Sequence, residues 1–357
     1  MLDARVIQGD SLDVLKAMEA ESLDSLVTDP PAGISFMGKD WDDDKGGRQQ
    51  WVAWMTDVMR ECYRVLKPGA HGLVWALPRT SHWTATALED AGFEVRDVVT
   101  HLFGTGFPKS LNLEKATEGV AKGQGTALKP ASEHWILVRK PCSEKTVAAN
   151  VLKWGTGGLN IDGCRVGYQS KEDIDRARGR KGEYDKTGQL SGLETSVTLH
   201  PQMFKGETNN QGRFPANLVL DEEAAQALDE QSGVTKSTPQ ARNNKPSANL
   251  SMSGANTGHV SFGYADSGGA SRFFYVAKAS KSDKGADNTH PTVKSTKLME
   301  YLIKLVTPPG GIVLDPFMGS GSTGVACGGL GFGFVGIERD ELFTRIAERR
   351  LQVNRAY

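Results

Sequence analysis

One stretch of the sequence decides the fold: Ile312-Val313-Leu314-Asp315-Pro316-Phe317-Met318-Gly319-Ser320-Gly321-Ser322-Thr323-Gly324. An apolar strand runs into a glycine turn, and the turn opens a helix. Glycine suits such a turn because the backbone must bend tightly and approach a ligand without a Cβ in the way. The N-terminus of the helix presents unpaired N–H groups to the same place. The stretch therefore predicts a strand–turn–helix unit that binds a ligand in an α/β sheet.

The residue that ends the next predicted strand narrows the kind of ligand. Glu338 follows the apolar residues 334–337, and its carboxylate can accept hydrogen bonds from both hydroxyls of a ribose. The glycines also satisfy the GxGxxG spacing of dinucleotide sites. Only 19 residues follow Glu338, however, which leaves room for one helix and not for a second mononucleotide-binding half. The sequence therefore favours an adenosine ligand without a pyrophosphate, and the alternative is a glycine turn that only packs.

Strand and helix patterns alternate at both ends of the chain. Strands are predicted at residues 4–7, 24–28, 72–76, 93–99, 135–139, 272–276, 312–314 and 334–337. Helices are predicted at residues 11–18, 51–66, 80–91 and 297–306, with one more after each of the last two strands. We expect one doubly wound, Rossmann-like α/β sheet that is assembled from both chain ends.

The middle of the chain has a different composition. From about residue 155 to residue 270, glycine, serine, asparagine and charged residues dominate, and apolar islands are short. The whole chain has 41 glycines and only 38% apolar residues, which fits a good core joined to long polar stretches. We therefore divide the 357 residues into 1–154, 155–271 and 272–357, with a loop-rich insertion in the middle.

Charge and cysteine content exclude several classes of protein. Lysine and arginine total 42 against 43 aspartates and glutamates, so the net charge of -1 gives no sign of a polyanionic partner at the level of the whole chain. The four cysteines are far apart and the seven histidines are scattered, so neither a disulfide framework nor a metal site is predicted. No long apolar run or signal-like N-terminus is visible, and we expect a cytoplasmic protein.

A second motif places a carboxylate at the exit of a buried strand: Leu26-Val27-Thr28-Asp29-Pro30-Pro31-Ala32. The two prolines fix the backbone at this point. An exocyclic amino group on a nucleobase is a poor nucleophile, because its lone pair is delocalised into the ring. Two hydrogen-bond acceptors, the Asp29 carboxylate and the Pro30 carbonyl, could localise that lone pair during methyl transfer. The alternative is an ordinary turn, since aspartate before proline commonly opens one.

Together the two motifs resemble the amino-methylating DNA methyltransferases, in the permuted arrangement of bacterial and phage enzymes that carry the catalytic half first. Asp29-Pro30-Pro31 corresponds to the Asp-Pro-Pro-aromatic motif of that family, and residues 315–321 correspond to its Phe-x-Gly-x-Gly cofactor loop. Glu338 corresponds to the ribose-binding acid. His290-Pro291-Thr292-Val293-Lys294 resembles the segment on the cofactor side, and Gly9-Asp10 resembles the strand end that faces the cofactor adenine.

The resemblance implies a DNA methyltransferase that uses S-adenosyl-L-methionine, flips its target base and belongs to a restriction-modification setting. It implies a target-recognition role for residues 155–271. Adenine N6 is the preferred acceptor because Asp rather than Ser opens the motif. Cytosine N4 methylation and an inactive, cofactor-binding DNA-binding protein stay open as alternatives, as does a protein or RNA acceptor. The oligomeric state is not predicted.

The candidate site residues fall into three groups, and the resemblance implies the first two. Catalysis is assigned to Asp29, Pro30 and Pro31. Cofactor binding is assigned to Asp10, Asp29, His290, Thr292, Asp315, Phe317, Gly319, Ser320, Gly321, Ser322, Thr323, Glu338 and Arg339. Base or DNA binding is assigned, from local aromatic and basic residues and not from the resemblance, to Phe36, Lys39, Trp41, Arg176, Arg178, Arg180, Lys278 and Lys281. For residues 168–213 the alternative is a solvated charged loop, because basic and acidic residues are nearly balanced there.

Two positions depart from, or compete with, this interpretation. Ala32 stands where the family usually has an aromatic residue that stacks on the flipped base, so we expect Phe36 or Trp41 to substitute for it. The alternative is that these rings only pin a loop. Pro141-Cys142 resembles the nucleophile of enzymes that methylate cytosine carbon, but it follows another strand than Asp29, and we predict that Cys142 is not catalytic.

Overall fold

The computed structural model describes residues 4–34, 42–106, 110–168, 212–236, 241–243, 247–251, 254–256, 260–262, 267–278, 288 and 293–353. By contact the chain divides into two compact units. The main unit is Met1–Cys164, Pro215–Ala225 and Phe274–Tyr357, and the second unit is Arg165–Phe214 and Gln226–Phe273. Among the helices of the described residues, none is both long and apolar enough to cross a membrane.

Nine strands within the described residues form the sheet of the main unit. They are β1 (Ala4–Gln8), β2 (Leu23–Thr28), β3 (Leu66–Ala76), β4 (Glu94–Leu102), β5 (Ser132–Arg139), β6 (Leu218–Asp221), β7 (Tyr275–Ala277), β8 (Ile312–Asp315) and β9 (Gly333–Glu338). The helices are α1 (Ser11–Lys16), α2 (Arg48–Val65), α3 (Ser81–Asp90), α4 (Leu113–Ala116), α5 (Val147–Trp154), α6 (Glu222–Ser232), α7 (Thr296–Val306), α8 (Ser322–Leu330) and α9 (Glu341–Val353).

The strand order is β1-β9-β8-β2-β3-β5-β4-β6-β7. The C-terminal strands β8 and β9 insert between the N-terminal strands β1 and β2, and these pairings are parallel. Of the nine strands described in this sheet, only β5 is antiparallel, to its neighbours β3 and β4. The predicted doubly wound α/β sheet assembled from both chain ends is therefore confirmed.

Helices cover both faces of this sheet, which explains why its central strands are apolar on both sides. On β2, all six residues are buried. Leu26 belongs to a core cluster with the apolar side chains of α2 and α3, while its neighbour Val27 belongs to a second cluster with those of α7 and α8. Alternate side chains of one strand point to opposite faces, so a single strand supplies both cores.

Several predicted strands have different bounds in the structure. β4 ends at Leu102 instead of residue 99, and β5 begins at Ser132 instead of residue 135. β3 begins at Leu66 instead of residue 72, because Leu66 pairs with Leu23 and the carbonyl of Pro68 accepts hydrogen bonds from two side chains. The strand predicted at 272–276 was wrong at its start: residues Ala270–Phe273 form a 3-10 turn and β7 begins at Tyr275. The buried Arg272 guanidinium donates to the carbonyls of residues 268 and 269, which favours the turn.

Part of the middle of the chain belongs to the main sheet. The apolar strand β6 joins the main sheet beside β4, and Asp221 caps the start of α6 by accepting from the Ala224 amide at 2.7 Å. Thus residues 215–225 belong to the main unit, whose first segment ends at Cys164. The predicted division at residues 154 and 271 stays a prediction. In the second unit, three short antiparallel strand pairs are nested within one another: Thr235–Lys236 with Ser267–Gly268, Ala241–Asn243 with Val260–Phe262, and Ser247–Ser251 with Gly254–Asn256.

Candidate functional site

The predicted site residues converge on one edge of the main sheet. Strands β1, β9, β8 and β2 are consecutive and parallel, so their carboxyl ends lie side by side. These ends are followed by Asp10, Glu338, the glycine turn and Asp29, respectively. In sheets of this kind, ligands bind outside the carboxyl ends of the strands. The arrangement therefore brings together residues from both ends of the chain, as predicted.

A buried carboxylate ties the two motifs together. Asp315, the last residue of β8, accepts a hydrogen bond from the Thr28 hydroxyl at 2.7 Å and from the Thr323 hydroxyl at 2.5 Å. It also accepts one from the Phe317 amide at 3.1 Å. Thr28 directly precedes Asp29, and Thr323 lies in the first turn of α8. Asp315 therefore braces the acceptor strand against the glycine turn, and direct cofactor contact by Asp315 or Thr323 stays a prediction.

Burial is the main influence on the pKa of the Asp315 carboxyl group. Asp315 is 2% exposed, and desolvation raises its pKa to about 7 although three hydrogen bonds favour the charged form. The negative charge of nearby Asp29 raises it further. The carboxyl group of Asp315 thus changes charge near neutral pH, whereas an exposed aspartate does so near pH 4.

Asp29 lies in a cluster of charged side chains that local sequence motifs do not reveal. Its Oδ2 atom is 3.1 Å from the Nζ atom of Lys294, which is 3.4 Å from the Oε1 atom of Glu133. The other oxygen of Glu133 is 3.5 Å from Nδ1 of His101. The ammonium group of Lys294 also lies 4.1 Å from the ring centroid of Trp75. One lysine therefore bridges the acceptor carboxylate to a second carboxylate.

The pKa values in this cluster move in different directions. Burial raises the pKa of Asp29 to about 6, against the lowering effect of Lys294. Burial also acts to raise the pKa of Glu133, but Lys294 and His101 outweigh it and hold the value at about 2. The pKa of Lys294 is raised, because its two carboxylate partners outweigh its burial. At neutral pH the lysine is a cation between two carboxylates.

The glycine turn has the backbone conformation that its sequence predicts. Gly319 and Gly321 have φ values of +52° and +82°, and Gly321 is the N-cap of α8. A Cβ atom at position 321 would lie 2.9 Å from that of Ala347. The Ser320 hydroxyl is buried and contacts Asn288 at 3.0 Å and Arg350 at 3.0 Å. This serine side chain is therefore used, at least in part, to hold the turn.

Glu338 and Asp10 occupy neighbouring strand ends. Glu338 accepts backbone hydrogen bonds from Gly319 at 3.0 Å and from Asp340 at 2.8 Å, while burial raises its pKa. Asp10 caps α1 by accepting from the Leu12 amide at 3.0 Å. Arg339 is exposed. Each carboxylate has about four acceptor positions, so Glu338 keeps capacity for a further donor such as a ribose hydroxyl.

Aromatic side chains line the part of the edge beside the turn. The rings of Phe317 and Trp54 are 5.9 Å apart, and Trp54 lies in turn 6.3 Å from the buried ring of Trp51. Trp51 also packs so close to Gly33 that a Cβ atom there would lie 2.5 Å from the indole ring. Phe317 was predicted as a site residue from its motif, whereas the helix periodicity of α2 assigned both tryptophans only to the core.

The remaining predicted residues have the following places. Pro30 is buried, Pro31 and Ala32 are half-buried, Ser322 is half-buried and Lys278 is exposed. The predictions for Phe36, Lys39, Trp41, Arg176, Arg178, Arg180, Lys281, His290 and Thr292 lie outside the described residues. Cys142 follows the carboxyl end of β5, which is antiparallel, so it lies at the opposite edge of the sheet from Asp29.

Comparison with known proteins shows the family of this chain. The model of a family described as DNA methylase, N6_N4_Mtase, matches residues 23–349, and the chain belongs to this family. The family resemblance seen in the motifs is therefore confirmed. The chain is 22% identical to the type II methyltransferase M.HpaI of Haemophilus parainfluenzae over 98% of this chain and 74% of that protein.

Two further matches are weaker, one in the length that it covers and the other in its sequence identity. The type II methyltransferase M2.DpnII of Streptococcus pneumoniae is 44% identical over 63 residues, which are 18% of this chain and 24% of that protein. This match spans about a quarter of the relative's length. The solved M1.HpyAVI–SAM complex aligns over 98% of this chain and 99% of its own, with 18% identity and a TM-score of 0.46.

Proposed function

We propose that the protein is an S-adenosyl-L-methionine-dependent DNA methyltransferase that methylates an exocyclic amino group, adenine N6. The observation that carries this proposal is the 2.7 Å hydrogen bond from Thr28 to Asp315. It joins the end of the acceptor strand to the start of the glycine turn, so that Asp29 and the turn lie on adjacent parallel strands. This adjacency supports the proposal, because an amino group that Asp29 held would lie near a ligand that the turn held.

The residues of the turn fit an adenosine-containing cofactor. Glu338 has acceptor capacity left for ribose hydroxyls, and Asp10 ends the neighbouring strand β1. Phe317 and Trp54 supply an apolar surface for a purine ring. When bound, S-adenosyl-L-methionine supplies an electrophilic methyl group on a sulfonium ion.

Asp29 acts on the acceptor amino group. Its carboxylate accepts one amino hydrogen and the Pro30 carbonyl accepts the other, which localises the nitrogen lone pair. These hydrogen bonds strengthen as positive charge develops on the nitrogen, so they stabilise the transition state more than the ground state. With a pKa of about 6, Asp29 is mostly ionised at pH 7 and can take the proton that the methylated nitrogen then loses.

DNA contact is proposed for two parts of the chain. The second unit interrupts the methyltransferase sequence and is the candidate for target recognition. Its residue range includes Arg176, Arg178 and Arg180. Phe36 and Trp41, which follow the Asp-Pro-Pro motif in the sequence, are the candidates for stacking on a base that has left the stack, and Lys39, Lys278 and Lys281 are candidates for contact with the DNA. A net charge of -1 implies few phosphate contacts, so we expect a shallow dependence of DNA affinity on salt.

The experiment measures the methylated nucleoside itself. Purified protein is incubated with DNA and isotope-labelled S-adenosyl-L-methionine, and the DNA is digested to nucleosides for mass spectrometry. We expect labelled N6-methyladenine from the wild type and none from Asp29→Asn, which should still bind the cofactor. Asp90→Asn is the matched control, since Asp90 is an exposed aspartate at the end of α3 and should leave transfer unchanged.

Two other outcomes would replace the proposal. Label in N4-methylcytosine alone would overturn the choice of adenine and keep the amino-methyltransferase class. Cofactor binding without label in DNA, in the wild type as in Asp29→Asn, would indicate a DNA-binding protein without transfer activity. Ala32 is the residue that motivates this second outcome, because an alanine offers a flipped base no stacking surface.

A further inference from the structure

Among the described residues, Lys294 is the only charged hydrogen-bond donor to Asp29, and it also contacts a second acid, Glu133. Lys294 precedes α7 and its side chain is 12% exposed, yet it contacts Asp29 at 3.1 Å and Glu133 at 3.4 Å. The two acids belong to different strands: Asp29 follows the end of β2, and Glu133 lies at the start of β5. The antiparallel direction of β5 is what brings Glu133 to this edge of the sheet.

Other charged groups complete the surroundings of this lysine and of the two acids. Asp42 and Asp315 are the further carboxylates that interact with Asp29. His101, on β4, is the further partner of Glu133, at 3.5 Å. Asp29 thus has several negative neighbours and one positive one, and without Lys294 its charged form would have no cationic partner in the part of the chain that the structure describes.

A purely structural role does not explain this arrangement well. A buried ion pair gives little net stability, because the loss of hydration offsets most of the attraction. Here one ammonium group is divided between two carboxylates and also lies over the Trp75 ring. The arrangement does affect how strongly the Lys294 ammonium group stabilises the charged form of Asp29. A closer contact of that group with Glu133 weakens its contact with Asp29.

We propose that Lys294 is a positioning residue that orients Asp29 and keeps it ionised, and that Glu133 tunes this effect by competing for the same ammonium group. The inference rests on the proposed function of Asp29 as the acceptor of the amino hydrogen. A protonated Asp29 can no longer take the proton of the methylated nitrogen. The ionic cluster thereby sets the lowest pH at which methyl transfer is efficient.

The test is the pH profile of kcat/KM for methyl transfer, which reports the ionisation of groups in the free enzyme. The wild type should lose activity below about pH 6, where Asp29 becomes protonated. Lys294→Gln removes the cation, so the acid limb should move to higher pH by about 1 to 3 units, and activity should recover at alkaline pH. Lys294→Arg keeps the charge and should stay closer to the wild type.

Glu133→Gln provides the opposite perturbation. It removes a negative neighbour of Asp29 and leaves the ammonium group to one carboxylate, so the acid limb should move to lower pH. Lys297→Gln is the matched control, because Lys297 lies three residues further along and pairs with Glu300 on an exposed surface. Its profile should coincide with that of the wild type.

Opposite shifts in the two variants are a signature that a loss of folding does not produce. The inference is overturned if both variants move the limb in the same direction, or if both retain the wild-type limb. It is also overturned if Lys294→Gln is folded by circular dichroism but inactive at every pH. The failure of the proposed function is a separate result, because transfer would then persist in Asp29→Asn.

Discussion

Asp315 offers a direct test of how burial and hydrogen bonds compete at the junction of the two motifs. Replacing it with asparagine keeps the shape of the side chain and removes its titration. In the folded wild type the pKa of Asp315 is raised from 3.8 to about 7, so the native state holds a proton that the unfolded chain has already released. Stability must then fall as the pH rises between these two values.

The size of the effect follows from that shift. A pKa difference of one unit corresponds to about 1.4 kcal/mol, and the full shift is lost only above the folded-state pKa. Between pH 5 and pH 8, the contribution of Asp315 to the free energy of unfolding should fall by roughly 2 to 3 kcal/mol. Asp315→Asn lacks this dependence, so its stability relative to the wild type should rise by that amount over the same interval.

The assay is urea unfolding at several pH values between 5 and 8, followed by the fluorescence of buried tryptophans such as Trp51 and Trp135. Asp29 also titrates in this interval, and because its charge interacts with that of Asp315, its contribution cancels only in part in the difference. Thr28→Val removes one of the donors that favour the charged form of Asp315, and should move the fall in stability to higher pH. A stability difference that stays constant from pH 5 to pH 8 would refute the reasoning, because it would mean that Asp315 is ionised throughout.

Two further predictions concern the glycine turn and the excluded nucleophile. Gly321→Ala should lower the stability by about 2 kcal/mol, since the residue has a φ of +82° and a Cβ would meet Ala347. Gly328→Ala, in the same helix with open space around it, should raise stability by about 0.5 to 1 kcal/mol, and thermal unfolding of the pair checks both signs. Cys142→Ala should retain the wild-type rate of methyl transfer, because the thiol lies at the opposite edge of the sheet from Asp29. A denaturation-resistant complex of protein and DNA that disappears in Cys142→Ala would contradict this.

Local patterns were sufficient to predict the parts of the site that a short stretch of chain builds by itself. The glycine turn and the Asp-Pro-Pro motif each consist of consecutive residues whose backbone preferences act over a few positions. Their positions at the carboxyl ends of neighbouring strands followed from the expected parallel sheet. The family assignment depended on these two segments, and the family match to residues 23–349 agrees with it.

Glu133 and His101 could not be found in the same way. They lie next to each other only because β5 is antiparallel to β3 and β4, and the direction of a strand leaves no mark on its own sequence. In the local sequence, Glu133 is a charged residue before an apolar run, and nothing in that pattern predicts a functional role. The start of β7 was misplaced for a related reason, since buried Arg272 is satisfied by carbonyls of a turn that the apolar pattern of residues 272–276 does not show.

The two acids at this junction, Asp315 and Asp29, have different kinds of partner. Neutral donors contact Asp315, and a cation contacts Asp29. Asp315 accepts three hydrogen bonds from two hydroxyls and an amide, yet its pKa is about 7. Asp29 has a full positive charge 3.1 Å away and a pKa of about 6. Neutral dipoles compensate a buried charge less well than an ammonium group does. Because the charges of Asp29 and Asp315 repel each other, ionisation of Asp29 favours the protonated form of Asp315. Lys294 acts to lower the pKa of Asp29, and no cation does so for Asp315 among the described residues, so the lysine favours the charged form of the carboxylate that is proposed to hold the acceptor nitrogen.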